Sequence, residues 1–106
     1  MITRYVRCVV TEEDAPAFLD HARQVIARHQ GRVDGLLWLQ LGVRHLPSGE
    51  VAVLGQSQWR DFDAMRAFYG EHLYTAYLWD PDEQWLRNAV VEHFEVVGAS
   101  GDPASD

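Results

Sequence analysis

At 106 residues and 47% hydrophobic composition, the chain carries enough apolar material for one core and is too short for a second domain. A formal net charge of −7 sets most of its surface against a phosphate backbone, so nucleic acid is excluded as the expected partner. Among the basic residues there are arginines and histidines but no lysine, which rules out Schiff-base chemistry and lysine bases.

Residues 1–10, MITRYVRCVV, alternate between Ile2, Val6, Cys8 and Val10 on one side and Thr3, Tyr5, Arg7 and Val9 on the other, which predicts a strand with two different faces. Arg4 and Arg7 interrupt the run, so it cannot act as a secretory signal, and no segment reaches the length of a membrane span. A cytoplasmic protein is expected. The lone Cys8 has no internal partner for a disulfide and reads as a small buried hydrophobe. Thr11 is placed to cap a helix running to about Gln30, with Glu12, Glu13 and Asp14 in its first turn, Pro16 tolerated early and Gly31 as its stop. The apolar stripe of that helix is Phe18, Ala22, Val25 and Ile26.

Residues 36–46 and 50–59 are rich in strand formers and flank Pro47, Ser48 and Gly49, the signature of an antiparallel hairpin. Strict alternation puts Leu37, Leu39, Leu41 and Val43 on one face of the first strand and Leu36 and Trp38 on the other. Asp61 then caps a second helix, with Phe62, Met65, Phe68 and Tyr69 at helical spacing and Gly70 at its end. Residues 68–85, FYGEHLYTAYLWDPDEQW, are dense in aromatics. Within them Asp80, Pro81 and Glu83 suit the N-cap, first and third positions of a short helix carrying Trp85 and Leu86. Residues 89–97 read as a last strand, with Val90, Glu92, Phe94 and Val96 opposite Val91, His93, Glu95 and Val97. Residues 98–106 lack large apolar side chains and predict a flexible tail.

With right-handed crossovers, this order folds residues 1–97 as one α+β, ferredoxin-like βαββαβ domain, a four-stranded antiparallel sheet with helices on one face. The mixture of Leu36 and Trp38 with the opposing leucines leaves neither face polar enough for water, and a second copy of the chain is the expected cover.

The junction SQWRDFDAMRAFY, residues 57–69, resembles the antibiotic-biosynthesis monooxygenase (ABM) domain of the dimeric α/β-barrel superfamily. A tryptophan ends the third strand, an acidic residue caps the helix two positions later, and an alanine and an aromatic follow at helical spacing. In element order the resemblance covers residues 1–97. It implies two sheets packed face to face in a homodimer, the dimeric α/β barrel, with a pocket in each subunit between its sheet and its helices. It further implies a cofactor-independent monooxygenase acting on a phenolic or polyketide-like small molecule. The alternatives it leaves open are an isomerase or dehydratase, or a non-catalytic dimer that binds a hydrophobic or aromatic small molecule. The haem-degrading branch has an asparagine on the first strand, a tryptophan on the second helix and a histidine just after it. Those places fall near Val6, Phe68 and Leu78, which lack that chemistry.

His72, just past Gly70 and between Tyr69 and Tyr74, is the candidate base, because imidazole titrates near neutrality and can take a proton from a phenol or an activated carbon acid. Tyr74 is the second catalytic candidate. Trp59, Tyr69, Tyr77 and Trp79 are candidates to stack on a planar substrate or hydrogen-bond its oxygens, with core packing as the competing role. Arg4 shares the parity of the helix-covered side and is expected at the pocket rim, meeting an anionic group. Arg7 is expected to pair across a dimer with a carboxylate of the last strand such as Glu95. His21, His29, His45 and His93 show no pairing at ligand spacing, so no metal is expected.

Overall fold

A computed structural model describes residues 1–29, 31–73 and 87–100 of the chain. They form β1 (Ile2–Val10), α1 (Ala15–His29), β2 (Leu36–His45), β3 (Val51–Trp59), α2 (Phe62–Tyr69), a 3-10 turn (Gly70–His72) and β4 (Arg87–Glu95). The expected helix at 81–86, the candidates Tyr74, Tyr77 and Trp79, and the tail from 101 onward lie outside the described residues. The strands pair in the order β2-β3-β1-β4, every neighbour antiparallel, and both helices cover one face. This is the ferredoxin-like plan.

Strand alternation builds the core directly. Arg4, Val6, Cys8 and Val10 of β1 turn to the helices, beside Val51, Val53, Ser57 and Trp59 of β3. Beneath α1 the packing is wholly apolar, with Phe18, Ala22 and Val25 against Val6, Cys8, Val10 and Val53. A second cluster lies beneath α2, where Met65, Ala64 and Tyr69 pack on Trp59 and Leu73. Trp59 and Phe18 are almost completely enclosed, and truncating either would cost about 3–5 kcal/mol.

Asp61 caps α2 as expected, its Oδ1 accepting the Ala64 amide at 2.8 Å, and Gly70 ends the helix at φ +53°. The start of α1 differs from expectation. Thr11 closes a turn, its Oγ1 accepting the Asp14 amide at 3.2 Å and its carbonyl the Ala15 amide at 3.0 Å, and the helix begins only at Ala15. The reason is Pro16: in a helix capped at Thr11 it would fall in the second turn, where its missing N–H leaves the Glu12 carbonyl unmatched. Starting at Ala15 returns the proline to the first turn and leaves the acidic residues ahead of the helix.

The faces of β2 also differ. The β2–β3 register shifts between Leu36 and Trp38, so Leu37 is the extra residue of a bulge and Leu36 joins the helix-side cluster of Trp59. Beyond the bulge Leu39, Leu41 and Val43 share that side by register, while Trp38 turns to the open face and donates to Gln58 Oε1 at 3.0 Å. Arg7, expected to reach across a dimer, instead pairs within the chain with Glu92 on β4 at 2.7 Å, because the register sets Arg7 opposite Val90 and Tyr5 opposite Glu92 on the same face.

Candidate functional site

The polar groups of the helix-covered face gather under α2. Arg4 points there because it shares parity with Val6 and Cys8, and it is 1% exposed. It is expected at a pocket rim; instead, near the start of a strand central in the sheet, its side chain lies enclosed under the helix. Its guanidinium carbon lies 3.9 Å from the centre of the Tyr69 ring, a cation–π geometry, and its Nη2 donates to the His72 carbonyl at 3.4 Å. Burial lowers its pKa, with Tyr69 opposing that shift.

In the sheet register Arg4 lies between Ser57 of β3 and His93 of β4. Antiparallel partners share a face, so Ser57, Arg4 and His93 form one polar row across three strands. Ser57 Oγ accepts the Trp59 indole N–H at 3.0 Å and lies 3.4 Å from the Tyr69 hydroxyl, where either oxygen can donate. Trp59 and Tyr69 stand edge to face at 5.6 Å. His93 is half-buried, its ring hydrogen-bonded to the backbone of Leu73 and set edge-on to Phe62 at 6.5 Å. Burial, and secondarily the charge of Arg4, hold its pKa below the ordinary 6.5, so it is a neutral imidazole at neutral pH.

The structure thus joins three sequence candidates, Arg4, Trp59 and Tyr69, in one contact set. His72 meets that set through its carbonyl. Its ring is 44% exposed and lies 3.7 Å from the Glu71 carboxylate. Spacing along the chain could not point to Ser57 and His93. The signal that reveals them is the strand order combined with register, since β1 in the middle of the sheet brings one residue from each neighbour beside Arg4. Among the described residues no three His, Cys, Asp or Glu side chains converge as metal ligands.

The open face of the sheet is different in character. A cavity of about 560 Å³ lies on it, lined by Arg7, Val9, Arg44, Ala52, Leu54 and Val90 among others, and Val90 and Phe94 are 44% and 50% exposed. No helix among the described residues is long and apolar enough to cross a membrane.

No family model matches the chain, and no curated protein sequence matches it significantly. Solved structures do match its fold over nearly its whole length. A candidate antibiotic biosynthesis monooxygenase from Deinococcus radiodurans superposes with a TM-score of 0.68 at 17% identity, covering 96% of this chain and 98% of that one. The fold is that of the ABM structures. A second such protein, from Caulobacter crescentus, gives 0.65 at 20% identity, with 92% and 90% covered. The haem degrader MhuD from Mycobacterium tuberculosis, solved with two haems in its active site, gives 0.61 at 19% identity, with 95% and 100% covered. At these identities the likeness concerns the ABM-type fold alone.

Proposed function

We propose that this protein is a cofactor-independent monooxygenase whose substrate is a phenolic or polyketide-like small molecule, held beneath α2 beside Arg4 and Tyr69. The observation that carries this reading is the polar row Ser57–Arg4–His93 with its buried guanidinium: an enclosed charge is costly to fold around, and here it lies next to an aromatic ring and a neutral imidazole. Tyr69 and Trp59 offer an aromatic wall for a planar ring.

The chemistry asks little of the protein. A histidine removes a proton from an activated C–H or phenolic O–H, and Arg4 balances the resulting anion. That anion passes one electron to O₂, and the substrate radical and superoxide combine to a peroxide anion. The imidazolium returns its proton, and loss of water from the hydroperoxide at a former CH₂ leaves a carbonyl, so one oxygen atom enters the product and the other leaves as water. His72 and His93 both border the site, with Tyr74 a further proposed catalytic residue and Tyr77 and Trp79 further proposed substrate contacts.

Haem degradation has less support. The position that corresponds to the required asparagine is Val6, 1% exposed in the apolar cluster under α1, and Phe68 stands at the tryptophan position. Those residues do not fit haem.

The open face, with its exposed Val90 and Phe94, supports a homodimer in which a second copy covers the sheet. Sedimentation velocity at micromolar concentration tests it, and a well-behaved lone subunit refutes it. For the activity, oxygen uptake with anthrone and with phenolic polycycles is the assay. Stoichiometric binding of such compounds without oxygen uptake would favour the isomerase or the non-catalytic binding reading instead.

A further inference from the structure

We infer that His93, rather than His72, is the proton acceptor of this site, with Arg4 beside it as the group that receives the developing oxyanion; the inference rests on the site proposed above. Three observations carry it. First, Arg4 and His93 are register partners on neighbouring strands, so both side chains leave the sheet side by side on the face that α2 covers. Second, the His93 ring is fixed from two directions, by Phe62 at 6.5 Å and by its hydrogen bond to the Leu73 backbone. A ring N–H that donates to a carbonyl sets the tautomer and leaves the other ring nitrogen with its lone pair, which is the form a base needs. Third, His72 turns its carbonyl to Arg4, while its ring lies 44% exposed at 3.7 Å from Glu71. It is thus the backbone of His72, and not its ring, that meets Arg4.

The position of Arg4 also explains how an imidazole held neutral can still take a proton. Arg4 disfavours the imidazolium while the site is empty. Once the substrate is deprotonated, its negative oxygen faces both cations, and the repulsion becomes attraction to a shared anion. Proton transfer is then favoured only with substrate in place.

The test separates proton removal from oxygen chemistry. Anthrone, whose CH₂ is acidified by a ketone and two aryl rings, is incubated with the protein in D₂O under strict exclusion of oxygen, and loss of the CH₂ signal is followed by proton NMR. The parent should catalyse the exchange, and His93→Gln should slow it at least ~100-fold, far more than His72→Gln does. Circular dichroism and thermal unfolding of both variants verify that they are folded. If His93→Gln does not fold, the parent's own pH profile decides. Among the described residues, the charged or titratable groups around His93 include Arg4 on β1, Tyr69 on α2, Glu95 on β4 and His72 on the 3-10 turn beside Leu73. With the pKa of His93 lowered, by burial first and by Arg4 second, the exchange rate should fall in acid with its midpoint below the ordinary 6.5. An exchange that depends on His72 but not His93, a parent that catalyses none, or a rate that falls with its midpoint at or above 6.5 would each overturn the assignment. Exchange that depends on His93, together with no oxygen uptake in air, upholds the base and sinks only the monooxygenase reading.

Discussion

Replacing Arg4 with methionine separates a side chain kept for folding from one kept for ligand. Methionine is unbranched and flexible enough to fill most of the space that the arginine stem occupies. The substitution removes a cation–π contact of 3.9 Å, about 1–2 kcal/mol at a desolvated site, and a long hydrogen bond of 3.4 Å to the His72 carbonyl, about 1 kcal/mol. It also removes the cost of enclosing an ion that is 1% exposed, which is several kcal/mol. The gain offsets or exceeds the loss, so Arg4→Met should be between equally stable and about 3 kcal/mol more stable than the parent. Urea unfolding at pH 7, followed by tryptophan fluorescence, measures this through the midpoint at unchanged slope. The same variant should bind 2-naphthoate, a planar aryl anion, at least ~10-fold more weakly than the parent, a loss of ~1.4 kcal/mol. A destabilisation of about 3 kcal/mol or more with ligand affinity intact would refute the reasoning, because it would make Arg4 a member of a satisfied structural network.

Gly35→Ala should be among the most damaging single-methyl changes. Gly35 has φ +80°, and a Cβ there would overlap that of Ala64 in α2, so left-handed strain and overpacking together should cost about 2–4 kcal/mol in thermal unfolding. Ser57→Ala leaves the buried Trp59 indole N–H without its acceptor and should cost about 1–3 kcal/mol, read from the urea midpoint. Asp61→Ala should lower the urea midpoint at pH 7 and leave the acid end of the stability profile unchanged. The Ala64 amide, its leading cause, holds the Asp61 carboxyl below the ordinary 3.8 in the folded state, so its contribution is full above 3.8 and disappears as pH falls through the lower folded value. Parent and variant should therefore converge in acid.

Period and punctuation made much of the fold legible. Alternation in residues 1–10 assigned the helix-side face of β1 correctly, including Arg4, and the Pro47–Gly49 turn and the Asp61 cap each had a local chemical signature. Where sequence reading failed, the deciding fact was non-local or concerned a missing atom. The bulge at Leu37 is an insertion relative to β3, so it exists only in the pairing and cannot be seen in β2 alone. The delay of α1 to Ala15 follows from the N–H that Pro16 does not have, which outweighed the attraction of three acidic residues to a helix N-terminus. Within the site, residue type directed attention to His72 and the aromatic run. His93 reads as part of the last strand, in phase with Val91 and Glu95, but which face that set takes and which residue of β1 it opposes depend on register, and no spacing within β4 encodes that.

The two halves of the helix-covered face carry different loads. Under α1, Val6, Cys8, Val10, Val51, Val53 and Phe18 are all apolar and nearly unexposed, a composition that answers to packing alone. Two residues further along the same strands, the same face holds Arg4, Ser57 and His93, with a tyrosine hydroxyl and an indole N–H drawn into their network. Each polar group enclosed there must be matched, and leaving one unmatched costs more than an apolar substitute would, so nothing in folding itself favours placing the row at that end. Both ends of β1 lie between β3 and β4, and each is covered by a helix. On the function proposed above, the difference between them reflects a ligand bound at the α2 end: a small molecule with an anionic oxygen on a flat ring would meet a guanidinium, an imidazole and an aromatic wall in one place.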